Sequence, residues 1–405
     1  MSQPTRRSAE RRVLVPLHAP AWGGIHGIQE ALGPALAARG WPLLVALPDA
    51  DVDSAQRLSS AGVEILPLPL GRFRRSVDPR LHVRSLADLA RDVRQLGDVV
   101  RRHDVALVQV CGLHNVQGAI AARRCGRPIV WQLLSALVPR PIRLAMMPVV
   151  RRVADAVMTN GSGRTVQDAF PGLDRMGARW VPFFSPVDTR RFAPDPARRA
   201  RMRERLGFSP DTIVVGTVGN RTMQKGHDIL VDAAAQARSL DPKLRFCIVG
   251  APVESNARHY ERDVIGKARA YGLLDRPDLV IVDGAREIAD FVTAFDIFTM
   301  TSRAEGIPLA LIEAMAAGLP TVVPDVGGMA ETSPDGRTGI VMRDPAAADY
   351  ASAWVSLAAD ASRREAFGLA ARVRAVDAFS ADATADVHVE AFERAVAHHS
   401  GRAAR

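Results

Sequence analysis

The feature that most constrains this chain is a repeated alternation of short apolar runs with stretches of helical period. RVLVPL (12–17), PLLVALP (42–48), VEILPLP (63–69) and DVALVQV (104–110) read as strands, and PIVWQLL and DAVMTNG continue the series. Helical segments lie between them, among them IQEALGPALAARG, ended by Gly40, and a stretch near 85–102. Strands that alternate with helices of ten to fifteen residues imply βαβ units and a parallel sheet. The texture then changes at TRRFAPDPARRARMRERLGFSP (189–210), which is charged, punctuated by proline and without a core-like strand. A second series follows: TIVVGTVGN (212–220), a helix over 227–239, LRFCIVG (244–250), a helix near 258–271, LVIVDG (279–284) and FDIFTM (295–300). The pattern predicts an α/β fold of two doubly wound domains. The first spans 1–188, a connection occupies 189–210, and the second spans 211–375. An amphipathic helix over 376–405 packs back on the first domain. Ligands then belong at the carboxyl ends of the strands, between the domains.

Composition narrows the partners. The first 190 residues hold 26 arginines and 15 acids, +11, whereas the rest of the chain sums to −2. The basic half favours an anionic partner: an acidic acceptor or a membrane surface. Nucleic acid is set aside, because aromatic residues make up only 5% and no basic–aromatic interleaving or binding motif occurs. The most apolar window, IVWQLLSALVPRPIRLAMMPVV, is broken by Arg140, Arg143 and three prolines, so no membrane span is expected. Three cysteines without metal spacing or an even framework point to the cytoplasm, as does an N-terminus that reads as a first strand rather than a signal peptide.

Two loops carry the chemistry. The chain has three lysines, and Lys225 sits in TVGNRTMQKGHDIL, between a strand ending at Gly219 and a helix starting near Gly226. A cation at a helix N-terminus opposes the helix dipole by about 0.3–1 kcal/mol. An anion bound there by backbone N–H groups and the lysine removes the conflict. The glycines fit neither G-x-G-x-x-G nor a Walker loop. In EGIPLALIEAMAAGLPTVVPDVGG (305–328), Pro308 starts a helix and Gly318 ends it. Glu305 therefore lies in the loop before that helix, and Glu313 is the only charge on it. A buried carboxylate needs hydrogen-bond donors, and the hydroxyl pair of a ribose supplies two. The N–H groups of Gly306, Ile307 and Leu309 form a second anion cradle.

The segment EGIPLALIEAMAAGLPTVVPDVGGMAE resembles the E-x7-E signature of retaining, nucleotide-sugar-dependent glycosyltransferases of family 4, which have the GT-B fold. SPVDTRRFAP, VGNRTMQKGHDIL and DGAREIADFVTAFDIFTMTS resemble that family's other landmarks in order and spacing, and WGGIHGIQEALGPALAARGW its first loop and helix. The resemblance implies two Rossmann-like domains and roles for single residues. Glu313 holds the ribose, Glu305 touches the donor sugar, and Lys225 binds the diphosphate, with Arg221 beside it. Asn220 stands where the family usually has arginine. The amides of Gly306, Ile307 and Leu309 assist, and the segment Arg286 to Ile288 lies near the base. Gly23 and Gly24 bring the first loop to the phosphates and acceptor, with His114 nearby. Gln109, Cys111 and Gln132 stand where the family often has histidines. The resemblance implies no metal and no cofactor beyond the nucleotide-sugar donor.

Asp49, Asp51 and Asp53 have the D-x-D spacing that another glycosyltransferase fold uses for a metal, but they follow a strand of the basic half and read as a solvated loop. His18 and His26 flank the glycine-rich loop with a general loop role. The alternatives are a nucleotide-sugar epimerase or phosphorylase on the same fold, and a non-enzymatic sugar-nucleotide-binding or partner subunit.

Overall fold

The structure is a computed structural model. It describes residues 11–18, 22–71, 79–113, 115–134, 138–275, 278–283 and 287–403, and the side chains of 79–86 and 403 are outside that description. The chain forms two compact units, residues 1–186 with 381–405, and residues 187–380.

The first unit is built on seven parallel strands: β1 (Val13–Pro16), β2 (Leu43–Pro48), β3 (Glu64–Leu68), β4 (Leu107–Cys111), β5 (Ile129–Leu133), β6 (Ala156–Asn160) and β7 (Trp180–Phe183). Their order is β3-β2-β1-β4-β5-β6-β7. β1 to β6 correspond to the six expected runs. β7 was not legible, because WVPF is short and follows a 3-10 turn rather than a periodic helix. One sheet face packs on the Pro79–Arg102, Val116–Arg124 and Arg140–Val153 helices through Val93, Leu96, Ala119, Met147 and Val150. The other packs on the Gly24–Ala38 helix and on the chain's last helix, Ala381–Ala403, through Leu32, Leu36, Ala391, Phe392 and Ala395. His398 and His399 turn their Nδ1 atoms to the buried Asp155 carboxylate at 3.0 and 3.2 Å. Arg39 adds a 2.6 Å pair with Asp386.

The second unit holds six parallel strands: β8 (Ile213–Val218), β9 (Leu244–Val249), β10 (Leu279–Val282), β11 (Ile297–Thr299), β12 (Thr321–Pro324) and β13 (Gly339–Met342). Their order is β10-β9-β8-β11-β12-β13. In each sheet the winding reverses once, between β1 and β4 and between β8 and β11. Such a reversal leaves a crevice outside the carboxyl ends of the two central strands.

Two expected boundaries move. The chain passes between units at 186/187 and at 380/381, because the Ala361–Phe379 helix stays with the second unit and Val187 bridges to Ser380. The segment 189–210 is part of the second unit rather than a free connection. Its helix, Pro196–Leu206, directs arginines inward: Arg199 and Arg203 reach the two Asp296 oxygens at 2.6 and 2.9 Å. Arg203 also donates to the carbonyls of Ser209 and Thr212. Charge along this stretch therefore marks a clamp at the head of β11. Asp296→Ala strips a buried guanidinium of its partner and is expected to cost about 3 kcal/mol or more. Thermal melting of the variant checks this, and a loss below about 1 kcal/mol, that of an exposed pair, overturns it.

Candidate active site

Lys225 and Glu305 are 80 positions apart in sequence, yet Lys225 Nζ lies 2.7 Å from Glu305 Oε1. The sheet brings them together. Lys225 closes the loop after β8, Glu305 lies in the loop after β11, and β8 and β11 are the neighbours at which the winding reverses. The opposition expected between Lys225 and the helix behind it is met inside the protein, since the Glu305 carboxylate is an anion at that terminus. Ser302 Oγ donates to the same Oε1 at 2.8 Å.

The two loops are tied along their length. Thr301 Oγ1 donates to the Gly226 carbonyl at 2.8 Å, Arg303 N–H to the Gln224 carbonyl at 2.8 Å, and Gln224 Nε2 to the Ala304 carbonyl at 2.7 Å. Arg303 holds Asp228 through both guanidinium branches, at 2.6 and 2.8 Å. Glycine is required at the crossing: Gly226 has φ +64°, and a Cβ there would sit 2.0 Å from the Thr301 carbonyl oxygen. Gly327, at φ +61°, approaches the other side of the Glu305–Gly306 loop, where a Cβ would meet the Glu305 carbonyl at 2.3 Å. The neighbouring Gly328 N–H donates to the Gly306 carbonyl at 2.7 Å.

This fixed loop leads into the Leu309–Ala316 helix, whose N-cap is Pro308. Among the described residues, the N–H groups of Gly306, Ile307 and Leu309 have no acceptor within hydrogen-bond distance. Gly306 and Leu309 are exposed and Ile307 is half-buried. The result is an open row of donors next to an ammonium group, an arrangement suited to a phosphate. One turn into the helix, Glu313 is half-buried and has no hydrogen-bond partner among the described residues. Burial pushes its carboxyl up to about 7, against a weaker opposing pull from Arg191. The remaining donor-side expectations spread around this centre. Asn220 is exposed. Arg221 is paired with Asp283 at the end of β10 and lies 5.3 Å from the Tyr260 ring. Ile288 is half-buried at the start of the Ile288–Thr293 helix, and Arg286 lies outside the described residues.

His227 was not singled out by sequence. It follows Gly226, is buried, and stands edge-on to Tyr260 at 5.8 Å. Burial, with Lys225 and Arg221 beside it, lowers its pKa to about 3, so it is neutral. Its Nδ1 and the Tyr260 hydroxyl are buried and have no partner among the described residues. Only the dipeptide Gly226–His227 opening a helix could have signalled it.

In the first unit, Gly23 caps the Gly24–Ala38 helix and donates its N–H to His26 Nδ1 at 3.1 Å. Among the described residues, a Cβ on Gly23 or Gly24 would meet nothing within 4 Å, so their packing does not require glycine at either. His26 stacks on Trp22, over which Arg57 lies at 3.5 Å. His18 is buried, neither ring nitrogen has a partner among the described residues, and burial lowers its pKa to about 4. His114 lies outside the described residues. Gln132 Nε2 is 2.8 Å from His388 Nε2, whose Nδ1 faces the Thr384 carbonyl. Cys111 bonds Gln132, and its thiol is pushed up to about 12 by burial. Cys111 and Gln132 therefore bind the C-terminal helix to the sheet. Asp51 caps the Val52–Ser60 helix through the Ser54 N–H, which accounts for one aspartate of the D-x-D run. Among the described residues, no group of three His, Cys, Asp or Glu side chains converges as metal ligands.

Comparison with known proteins relates the chain to sugar-transferring enzymes. Residues 198–374 match the family model described as glycosyl transferases group 1. The chain is 33% identical over 203 residues to D-inositol 3-phosphate glycosyltransferase of Nocardia farcinica, covering 50% of this chain and 45% of that one. It is 33% identical over 199 residues to GDP-mannose-dependent alpha-(1-6)-phosphatidylinositol monomannoside mannosyltransferase of Mycolicibacterium smegmatis, covering 47% and 50%. The chain thus spans about half the length of the curated relatives it matches. HepE of Anabaena, solved in complex with UDP, superposes with a TM-score of 0.76 at 21% identity, over 95% of this chain and 99% of that one. The second unit is thus similar to the group 1 glycosyl transferases over residues 198–374, and the chain has the GT-B fold of two Rossmann-like domains.

Glu313 gives a test that needs no substrate. Its folded pKa is raised above the ordinary 4.5, so the folded state binds the proton more tightly than the unfolded chain. The associated stability is fully present below about pH 4.5 and is lost as pH rises through about 7. Glu313→Gln is expected to raise the melting temperature at pH 8 by several degrees and to leave it nearly unchanged at pH 5. Equal shifts at both pH values would contradict a desolvated carboxylate.

Proposed function

We propose that the protein is a retaining glycosyltransferase that moves a sugar from a UDP- or GDP-type donor to a hydroxyl acceptor without a metal ion. The contact between Lys225 and Glu305, beside the free amides of Gly306, Ile307 and Leu309, carries this reading. An incoming diphosphate competes with Glu305 for the ammonium group and takes the amides as further donors. Glu305, displaced from Lys225, is then next to the sugar hydroxyls. Glu313 accepts from the ribose diol, which replaces the donors its carboxylate lacks.

Cleavage puts negative charge on the leaving diphosphate. Lys225, Arg221 and the helix amides stabilise that charge from fixed positions, where they need no reorganisation during reaction. In the retaining course, the acceptor oxygen attacks the anomeric carbon on the face the diphosphate leaves. The C–O bond to phosphate breaks, the new glycosidic bond forms, and the leaving phosphate takes the acceptor proton. The first unit is the proposed acceptor side. Its excess of arginine suits a phosphate- or carboxylate-bearing acceptor, and the names of the two curated relatives include D-inositol 3-phosphate and phosphatidylinositol monomannoside. We place the activity in the cytoplasm or on the inner membrane face, since Cys111, Cys125 and Cys247 are free thiols.

Thermal unfolding with UDP, GDP, ADP and dTDP tests the donor site. A ligand at about 100 times its dissociation constant adds roughly 2.7 kcal/mol, a shift of several degrees. One nucleotide is expected to stabilise the wild type and to stabilise Lys225→Ala far less. Glu305→Gln is expected to keep nucleotide binding and lose turnover. No shift with any nucleotide would favour a non-enzymatic partner subunit, and unchanged turnover in Glu305→Gln would remove that residue from the reaction.

A further inference from the structure

The apolar window that breaks at Arg140 forms the Arg140–Val153 helix, and its outward face is unlike that of an ordinary surface helix. A helix on a globular surface turns apolar residues to the core and polar ones to water. This one buries Met147 and Val150, then turns Pro141, Ile142, Leu144, Ala145, Pro148 and Val149 outward. Leu144 is 50% exposed and Val149 46% exposed. The outward charges are all arginine. Arg140 and Arg152 are exposed and have no ion-pair partner among the described residues, whereas Arg143 is bound to the Val138 and Ala169 carbonyls.

The surrounding sequence has the same bias. Between Asp104 and Asp155 the chain contains no acid and seven arginines. Two of them, Arg123 and Arg124, are exposed at the end of the Val116–Arg124 helix, which packs on the same sheet face. Contiguous exposed apolar residues with a basic rim mark a binding surface. Free arginines without acids complement an anionic plane, and apolar side chains between them can enter its acyl boundary. A water-facing surface would gain from acids at these positions, and a peptide groove would need a concavity rather than a convex helix.

We infer that the exposed face of the Arg140–Val153 helix docks the protein onto an anionic lipid surface. No helix among the described residues is long and apolar enough to cross a membrane. The inference does not rest on the transfer reading.

Vesicle flotation tests it on the full chain. Vesicles of phosphatidylglycerol mixed with phosphatidylcholine are compared with phosphatidylcholine alone, at about 0.1 M and about 0.5 M NaCl. Wild type is expected to float with the anionic vesicles at low salt and to dissociate at high salt. Leu144→Glu with Val149→Glu, and separately Arg140→Gln with Arg152→Gln, are each expected to reduce partitioning at least about tenfold at an unchanged melting temperature. Absence of wild-type flotation, or retention by either double variant, overturns the proposal. So does a wild-type dimer that Leu144→Glu with Val149→Glu converts to monomer in sedimentation, which would assign the face to a second copy of the chain.

Discussion

The pairing of Lys225 with Glu305 depends on one topological fact, the adjacency of β8 and β11 where the second sheet reverses its winding. An ion pair this close to the surface contributes little net stability, because desolvation and side-chain ordering offset most of the attraction. Its value is positional. Thr301, Arg303 and Gln224 hold the two loops in register, and Gly226 and Gly327 allow the backbones to approach closely enough for those bonds. The ammonium group and the free amides are thus placed by backbone geometry rather than by flexible side chains. Fixed donors of that kind are what a developing negative charge can use.

Much of this was legible in the sequence because each signal has a local cause. The apolar runs gave β1 to β6 and β8 to β11 their type, since a buried parallel strand must be apolar throughout. Lys225 and Glu305 were legible as opposite ends of two strand-to-helix loops. Their mutual contact was not, because it depends on which strands are neighbours. β7 escaped because four residues without a periodic helix before them carry little pattern. The segment 189–210 escaped for a different reason. Its arginines look solvated in one dimension, and only the fold shows Arg203 facing Asp296 across more than ninety residues.

The two units distribute charge and burial differently. The second satisfies several of its ionic groups internally, through the Arg303–Asp228, Lys225–Glu305 and Arg199–Asp296 pairs. The first has a fifty-residue span without an acid, in which Arg123, Arg124, Arg140 and Arg152 have no ion-pair partner among the described residues, whereas Arg127 pairs with Asp104. A surplus of one sign raises the self-repulsion of a folded domain, so its persistence along one sheet face calls for a compensating partner. An acidic acceptor and an anionic surface are compatible forms of that compensation, because an acceptor at a membrane presents both.

Glu313 shows how a site and its stability pull against each other. The Leu309–Ala316 helix would be more stable with an apolar residue at this position, since a desolvated carboxylate without donors raises its own pKa and costs folding free energy near neutral pH. The neighbouring turn goes the same way: three N–H groups without acceptors among the described residues, and an N-cap at Pro308 that lacks a capping side chain. A serine or aspartate there would satisfy the turn but would also occupy the donors. The eight-residue helix and the loop that leads into it thus carry an acceptor and donors without partners among the described residues, one turn apart. A molecule with an anionic group at one end and a vicinal diol at the other satisfies both at once. A nucleoside diphosphate has that form.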